Sequence, residues 1–203
     1  MNLYFMISGC LFFLVIFGVL DRLLSFYGLN KWLLSAFLLL SCVFSLLQNL
    51  TVATFIISLN FIIYFAVFVI YLVKIKNIKN YFKTLFCSLI VIAVLMCYSA
   101  FDLADFEYSF VGIYVYVAIA LGIIFSFVLP NIKTTYCGVI FGSIIFDLIY
   151  WKFFNGFDGE NYILMPTNTL TFIFITVACY CLFNYLFCIV KVYKNKKKQE
   201  TTN

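Results

Sequence analysis

Long apolar runs separated by short polar connections set the rhythm of this chain. They cover residues 3–20, 32–49, 51–73, 84–101, 108–130, 134–153 and 165–190. Each holds about 18 residues or more, enough as a helix to cross a hydrocarbon core of about 30 Å. Backbone groups in lipid must be satisfied within their own segment, so runs of this length predict helices. The pattern therefore predicts an all-α, polytopic transmembrane bundle of about seven helices within residues 1–190. A polar tail, residues 191–203, follows and is expected to be disordered. Helices two and three are divided only by Gln48-Asn49-Leu50, and the last run contains Pro166. An error in the count would add or remove a whole hairpin. The first run ends at Asp21-Arg22, with no positive charge ahead of it and no small-residue site behind it. It reads as a retained helix and not as a cleaved signal peptide.

Charge gives the bundle a direction. With the N-terminus outside, the inner connections collect Arg22, Lys31, Lys74, Lys76, Lys79, Lys83 and Lys133, and the tail adds Lys191, Lys194, Lys196, Lys197 and Lys198. Only Lys152 of the 13 basic residues falls near the outer face. Lysine and arginine excess marks cytoplasmic loops, so the expected arrangement is N-out and C-in. The outer connections collect Asp102, Asp105, Glu107, Asp158 and Glu160. These acids read first as solvated loops, with cation or basic-partner binding as the alternative.

Composition strengthens the membrane reading. Hydrophobic residues make up 66% of the chain and charged residues 10%, against roughly 45–50% and about 25% in soluble domains. That much apolar surface cannot be hidden in one small core. The net charge of +5 follows from the inner lysines and does not imply nucleic acid. The tail lysines are expected to meet anionic lipid head groups at about 1 kcal/mol each. The lysine excess over arginine suggests an AT-rich genome and a bacterial cytoplasmic membrane.

The chain has no histidine, which removes His-based catalysis, His metal sites and His pH sensing. Its eight cysteines all fall within apolar runs without a CxxC pair, so they read as small apolar helix residues and not as a disulfide or zinc framework. There is no phosphate-binding glycine loop and no GxGD motif of an intramembrane aspartyl protease. No enzyme activity, cofactor or metal is expected.

Asp147 carries the most information. It lies in the sixth apolar run, where an acid costs several kcal/mol unless it faces the bundle interior or a water-filled cavity. It is either a proton or cation site or a protonated acid tying two helices together. Ser143, one turn below, is expected on the same face as a hydrogen-bond donor. Asn60 is a further intramembrane polar candidate, and Asn184 a polar residue expected to make one interhelical hydrogen bond. Gly138 and Gly142 form a small-xxx-small pair, expected to admit a neighbouring helix of the same protein. At the start of the last run, the threonines and asparagine of Thr167-Asn-Thr-Leu-Thr171 are expected to cap free amides after Pro166.

The order of these features resembles the YphA-type family of small membrane proteins from spore-forming Bacillota. The resemblance is one of layout: Asp21-Arg22 after helix one, Asp102 to Glu107 after helix four, and Gly138 to Asp147 followed by Asn155 to Asn161. It implies a multi-pass membrane protein and neither a reaction nor a ligand. Two functional expectations follow. The first is a non-catalytic membrane protein acting through the lipid bilayer or a membrane-protein partner; the second is a small-solute transporter, or a subunit of one, using Asp147.

Overall fold

A computed structural model describes residues 3–47, 50–52, 55–75, 77–102, 113–129, 131–158, 163–164 and 166–200. Among these the chain is a helical bundle with three very short strands. The order is α1 Leu3–Ile16, α2 Asp21–Tyr27, α3 Lys31–Leu46, β1 Leu50–Val52, β2 Phe55–Ile57 and α4 Leu59–Val73. There follow α5 Ile78–Asp102, α6 Ile113–Val128, α7 Ile132–Asp158, β3 Ile163–Leu164 and α8 Thr167–Glu200.

The first apolar run is not one straight helix. Gly18 takes a φ of 78°, a left-handed conformation open to glycine at no steric cost. The axes of α1 and α2 differ by 91° across this break. A second left-handed glycine, Gly28, ends α2, its amide reaching back to the Leu24 and Ser25 carbonyls as a helix C-cap does. Asn30 then starts α3 by accepting from the Trp32 amide. Lys31 and Asp21 form an ion pair at 3.4 Å, exposed enough to add little. What holds α2 down is Tyr27: its hydroxyl donates to the Cys181 carbonyl at 2.9 Å and accepts from Asn184 Nδ2 at 3.2 Å. Tyr27→Phe is expected to lower the unfolding midpoint in detergent by the equivalent of about 1 kcal/mol. An unchanged midpoint would mean that α2 is docked by its apolar contacts alone.

The third run, expected as a helix from residue 51, begins instead as a hairpin, and α4 starts only at Leu59. The reason lies in the side chains. Thr51, Val52, Ile56 and Ile57 are β-branched and lose little by an extended backbone. The hairpin also has a partner distant in sequence: β1 pairs antiparallel with β2, and β2 pairs parallel with β3, Ile56 opposite Ile163 and Ile57 opposite Leu164. The last run also departs from expectation, because α8 passes the apolar boundary and continues to Glu200. Lysine, glutamine and glutamate are good helix formers, so residues 191–200 extend the helix where a disordered tail was expected.

At the centre, α7 packs against α5, α8 and α4, and α8 packs against α6 and α1. Glycines set the closest approaches. A Cβ on Gly138 would stand 2.6 Å from Cys87 Cβ and 2.9 Å from the Thr84 carbonyl oxygen. One on Gly142 would stand 2.7 Å from the Ser88 oxygen, and one on Gly122 2.7 Å from the Thr176 oxygen. Residue numbers rise together along both contacts, so α5 and α7 run parallel, as do α6 and α8. The small-xxx-small pair thus faces α5 of the same chain.

The distribution of polarity is the reverse of a soluble protein's. Phe82, Phe86 and Leu89 on α5, Leu33 and Leu46 on α3, and Val190 and Val192 on α8 are exposed, while Thr134, Thr135, Ser143, Asp147 and Thr176 are fully buried. Among the described residues, three helical stretches are long and apolar enough to cross a membrane: Ile78–Ser99, Ile132–Tyr150 and Asn168–Tyr193. The bent α1–α2 pair would make a fourth, and α3, α4 and α6 are shorter apolar helices.

Candidate functional site

Most buried hydroxyls here serve their own helix. Ser8, Ser35, Thr84, Ser88, Ser99, Ser126, Thr134 and Thr176 each donate to a carbonyl three or four residues earlier. That bond satisfies the hydroxyl without a neighbour and leaves a small side chain at the interface. Thr169 behaves differently. It stands in the first turn of α8, and its Oγ1 donates across the helix boundary to Asp147 Oδ1 at 3.3 Å.

Asp147 has no exposed surface. Its neighbours along α7 explain the placement. Tyr136, Ser143, Asp147 and Tyr150 are spaced by seven, four and three residues, which puts them on one stripe of the helix. Ser143, expected to donate to Asp147, does not: its Oγ is buried with no hydrogen-bond partner among the described residues, while Thr169 of the next helix does donate to Asp147. Thr169 was expected only as a cap for α8 amides. Its role was not legible because no local pattern brings residue 169 to residue 147.

Asn60 lies at the same depth. Helices α4 and α7 run antiparallel, with Cys137 Sγ against the Phe68 carbonyl at 3.8 Å, Phe68 stacked on Phe141, and Tyr71 edge-on to Tyr136. Eleven residues along each helix, about 16 Å, lead from the Tyr71–Tyr136 contact to Asn60 on one and to Asp147 on the other. Asn60 is 3% exposed, and its Oδ1 has no hydrogen-bond partner among the described residues. Nearby, Tyr4 and Tyr64 share a hydrogen bond at 3.0 Å between α1 and α4, so this half of the bundle holds buried polar groups on several helices.

The second feature of the site is a cavity of about 170 Å³ where α5, α6, α7 and α8 meet. Leu95, Tyr98 and Ser99 come from α5, Tyr114 from α6, Phe146 and Tyr150 from α7, and Asn168, Thr169 and Phe172 from α8, with Pro166 just ahead of it. At about 30 Å³ per water, the space equals that of about six waters, below the roughly 300 Å³ at which drug-sized pockets begin. Two ring pairs stiffen its walls: Tyr98 edge-on to Tyr114 at 6.4 Å and Phe146 against Tyr150 at 5.7 Å. No lysine or arginine is among the described lining residues. Thr169 belongs to both features. It lines the cavity and holds the Asp147 carboxylate directly behind the wall.

The remaining sequence candidates are not gathered there. Asp105, Glu107 and Glu160 lie outside the described residues. So do the side chains of Asp102, Asp158, Lys194, Lys196, Lys197 and Lys198. Lys191 is exposed on the last part of α8. The eight cysteines are free, with Cys87, Cys137 and Cys181 buried, and the described residues hold no group of three or more metal-ligating side chains. Comparison of the chain with family models, curated proteins and solved structures gives no match.

Proposed function

We propose that this chain is a multi-pass protein of a bacterial cytoplasmic membrane that binds a small solute between α5, α6, α7 and α8, as a transporter or the solute-binding subunit of one. Its crossings are α1 with α2, α3, α4, α5, α6, α7 and α8, seven in all, N-out and C-in. The sheet supports this path. The hairpin between α3 and α4 pairs with the strand ahead of α8, and four crossings separate those two connections, an even number that returns the chain to the same face. The same count puts Lys74, Lys79, Lys83 and Lys133 at the opposite, inner end. Helices α3 and α4, of 16 and 15 residues, are about 24 and 22 Å long. Local thinning of the bilayer and the ordered sheet above them make up the difference from a hydrocarbon core of about 30 Å.

The observation that carries the solute-binding reading is that one residue, Thr169, both lines the pocket and hydrogen-bonds the buried acid. An intramembrane carboxylate is costly and marks a substrate or ion path when it borders a cavity. Thr169 puts Asp147 against one whose walls come from four helices. The pocket lies near the β3 end of α8, hence toward the outer face, where a solute would enter.

Filling the pocket tests this. Ser99→Trp adds an indole to the cavity wall at a residue that takes no part in the Asp147 contact. Purified wild type, screened by thermal shift against small amines, amino acids, alcohols and carboxylic acids, is expected to gain stability with at least one of them. Ser99→Trp is expected to lose that gain. A shift that survives in Ser99→Trp, or an absence of shift with every compound, would count against a solute site here.

A further inference from the structure

We infer that the pocket recognises a small organic ammonium cation, an inference that rests on the solute-binding reading above and names its ligand class. Three independent properties of the walls converge on that charge and size.

The first is the aromatic lining. Tyr98, Tyr114, Phe146, Tyr150 and Phe172 come from all four helices and make up half of the wall. The π face of an aromatic ring carries partial negative charge, and rings gathered around one small volume attract a cation, the more strongly where water is excluded. The same lining gives an anion nothing to bind, since no lysine or arginine among the described residues faces it.

The second is the direction of the Thr169 hydrogen bond. Its proton is committed to Asp147 Oδ1, so toward any ligand that reaches it this oxygen can act only as an acceptor. A hydroxyl held in this way accepts and does not donate, which suits an ammonium N–H and disfavours a carboxylate. Asp147 itself, fully buried and accepting from Thr169, would when ionised supply a negative charge next to the site. In a medium of low dielectric that charge acts at short range with little screening.

The third is volume. A pocket of about 170 Å³ matches a short-chain amine and is smaller than the roughly 300 Å³ at which drug-sized sites begin. A bare metal ion would find few oxygens: the polar lining is hydroxyls and one amide, short of the six to eight oxygens calcium takes.

Isobutylammonium is a suitable probe, with neutral isobutanol and anionic isobutyrate as controls of nearly the same size. An alkyl ammonium, like the lysine side chain with a pKa of about 10.4, is charged at pH 7. Titration calorimetry on the full-length protein in nanodiscs is expected to show the ammonium binding about tenfold or more tighter than the alcohol, and no binding of the carboxylate. Asp147→Asn keeps size and the acceptor for Thr169 while removing the charge. It is expected to bring the ammonium down to the alcohol's affinity. Tyr114→Leu, at the wall and away from the Asp147 contact, is expected to weaken the ammonium several-fold and leave the alcohol unchanged; it decides the matter if Asp147→Asn does not fold. Equal binding of ammonium and alcohol, or tighter binding of the carboxylate, would overturn the cation class while leaving a solute site in place. Failure of every probe, with Ser99→Trp indistinguishable from wild type across the wider screen, would overturn the solute site and this inference with it.

Discussion

Gly142→Val and Gly138→Val are each expected to destabilise the bundle by about 1–3 kcal/mol, and the pair together by less than the sum, because one separation of α5 from α7 relieves both clashes. The cost comes from what the new side chain meets. A Cβ at residue 142 would stand 2.7 Å from the Ser88 carbonyl oxygen and 2.8 Å from Val91 Cβ; at residue 138 it would stand 2.9 Å from the Thr84 carbonyl oxygen. Those oxygens are backbone, fixed by the hydrogen bonds of α5, and cannot swing aside as a side-chain tip can. The helices must separate instead. Two other glycines serve as controls. Gly9 has only Cys42 Sγ nearby, at 4.0 Å, so Gly9→Ala is expected to be neutral or slightly stabilising through helix propensity. Gly28 has open space around it but a φ of 62°, so Gly28→Ala carries a backbone cost of about 1 kcal/mol and no packing cost. Unfolding midpoints of the four variants in one detergent give the ranking. If Gly142→Val matched Gly9→Ala, the close α5–α7 contact would not exist in solution. The same separation would move Tyr98 and Ser99 away from Phe146 and Tyr150, because both helices line the pocket. Solute binding should then fall with stability.

How much of this was readable beforehand depends on the range of the interaction involved. Asp147, Gly138 and Gly142 stood out in the sequence because a carboxylate within an apolar run, or a pair of glycines one turn apart, is unusual whatever it touches. The helical character of the runs was equally plain, since composition and length decide it. Local breaks were harder. Gly18 lies inside an uninterrupted apolar stretch, and nothing nearby says that its φ is positive. The run from Thr51 to Ile57 does carry a local signal, five β-branched residues of seven, which its apolarity masked. The pocket was out of reach. Tyr98, Tyr114, Tyr150 and Thr169 are ordinary residues in a chain with 15 tyrosines, and they gain meaning only when four helices bring them together. The same holds for Tyr27 and Cys181, 154 residues apart.

A mutant cycle on Asp147 and Thr169 is expected to separate what the pair does for the fold from what it does for a ligand. Thr169→Val removes a hydrogen-bond donor from a fully buried carboxylate and should be the most damaging single change, at about 2–3 kcal/mol, because a charged group loses more than a neutral one. Asp147→Leu removes the acid and leaves the neutral Thr169 hydroxyl without that acceptor, a loss of about 1 kcal/mol for that bond. The double variant replaces both polar groups with apolar ones of similar size. Such replacements are often neutral or stabilising by about 1–4 kcal/mol, so Asp147→Leu/Thr169→Val should be at least as stable as the wild type. Its coupling energy then has the sign of a matched pair. All three variants should nonetheless lose discrimination between isobutylammonium and isobutanol, since each removes the charge or the hydroxyl that presents it to the pocket. A double variant as stable as the parent and unable to select a cation would mean that the acid is retained for binding, at some cost to the fold. A double variant less stable than either single one would make Asp147 a tie between α7 and α8. Stability and binding are read on the same purified protein, so the cycle needs no knowledge of the natural solute.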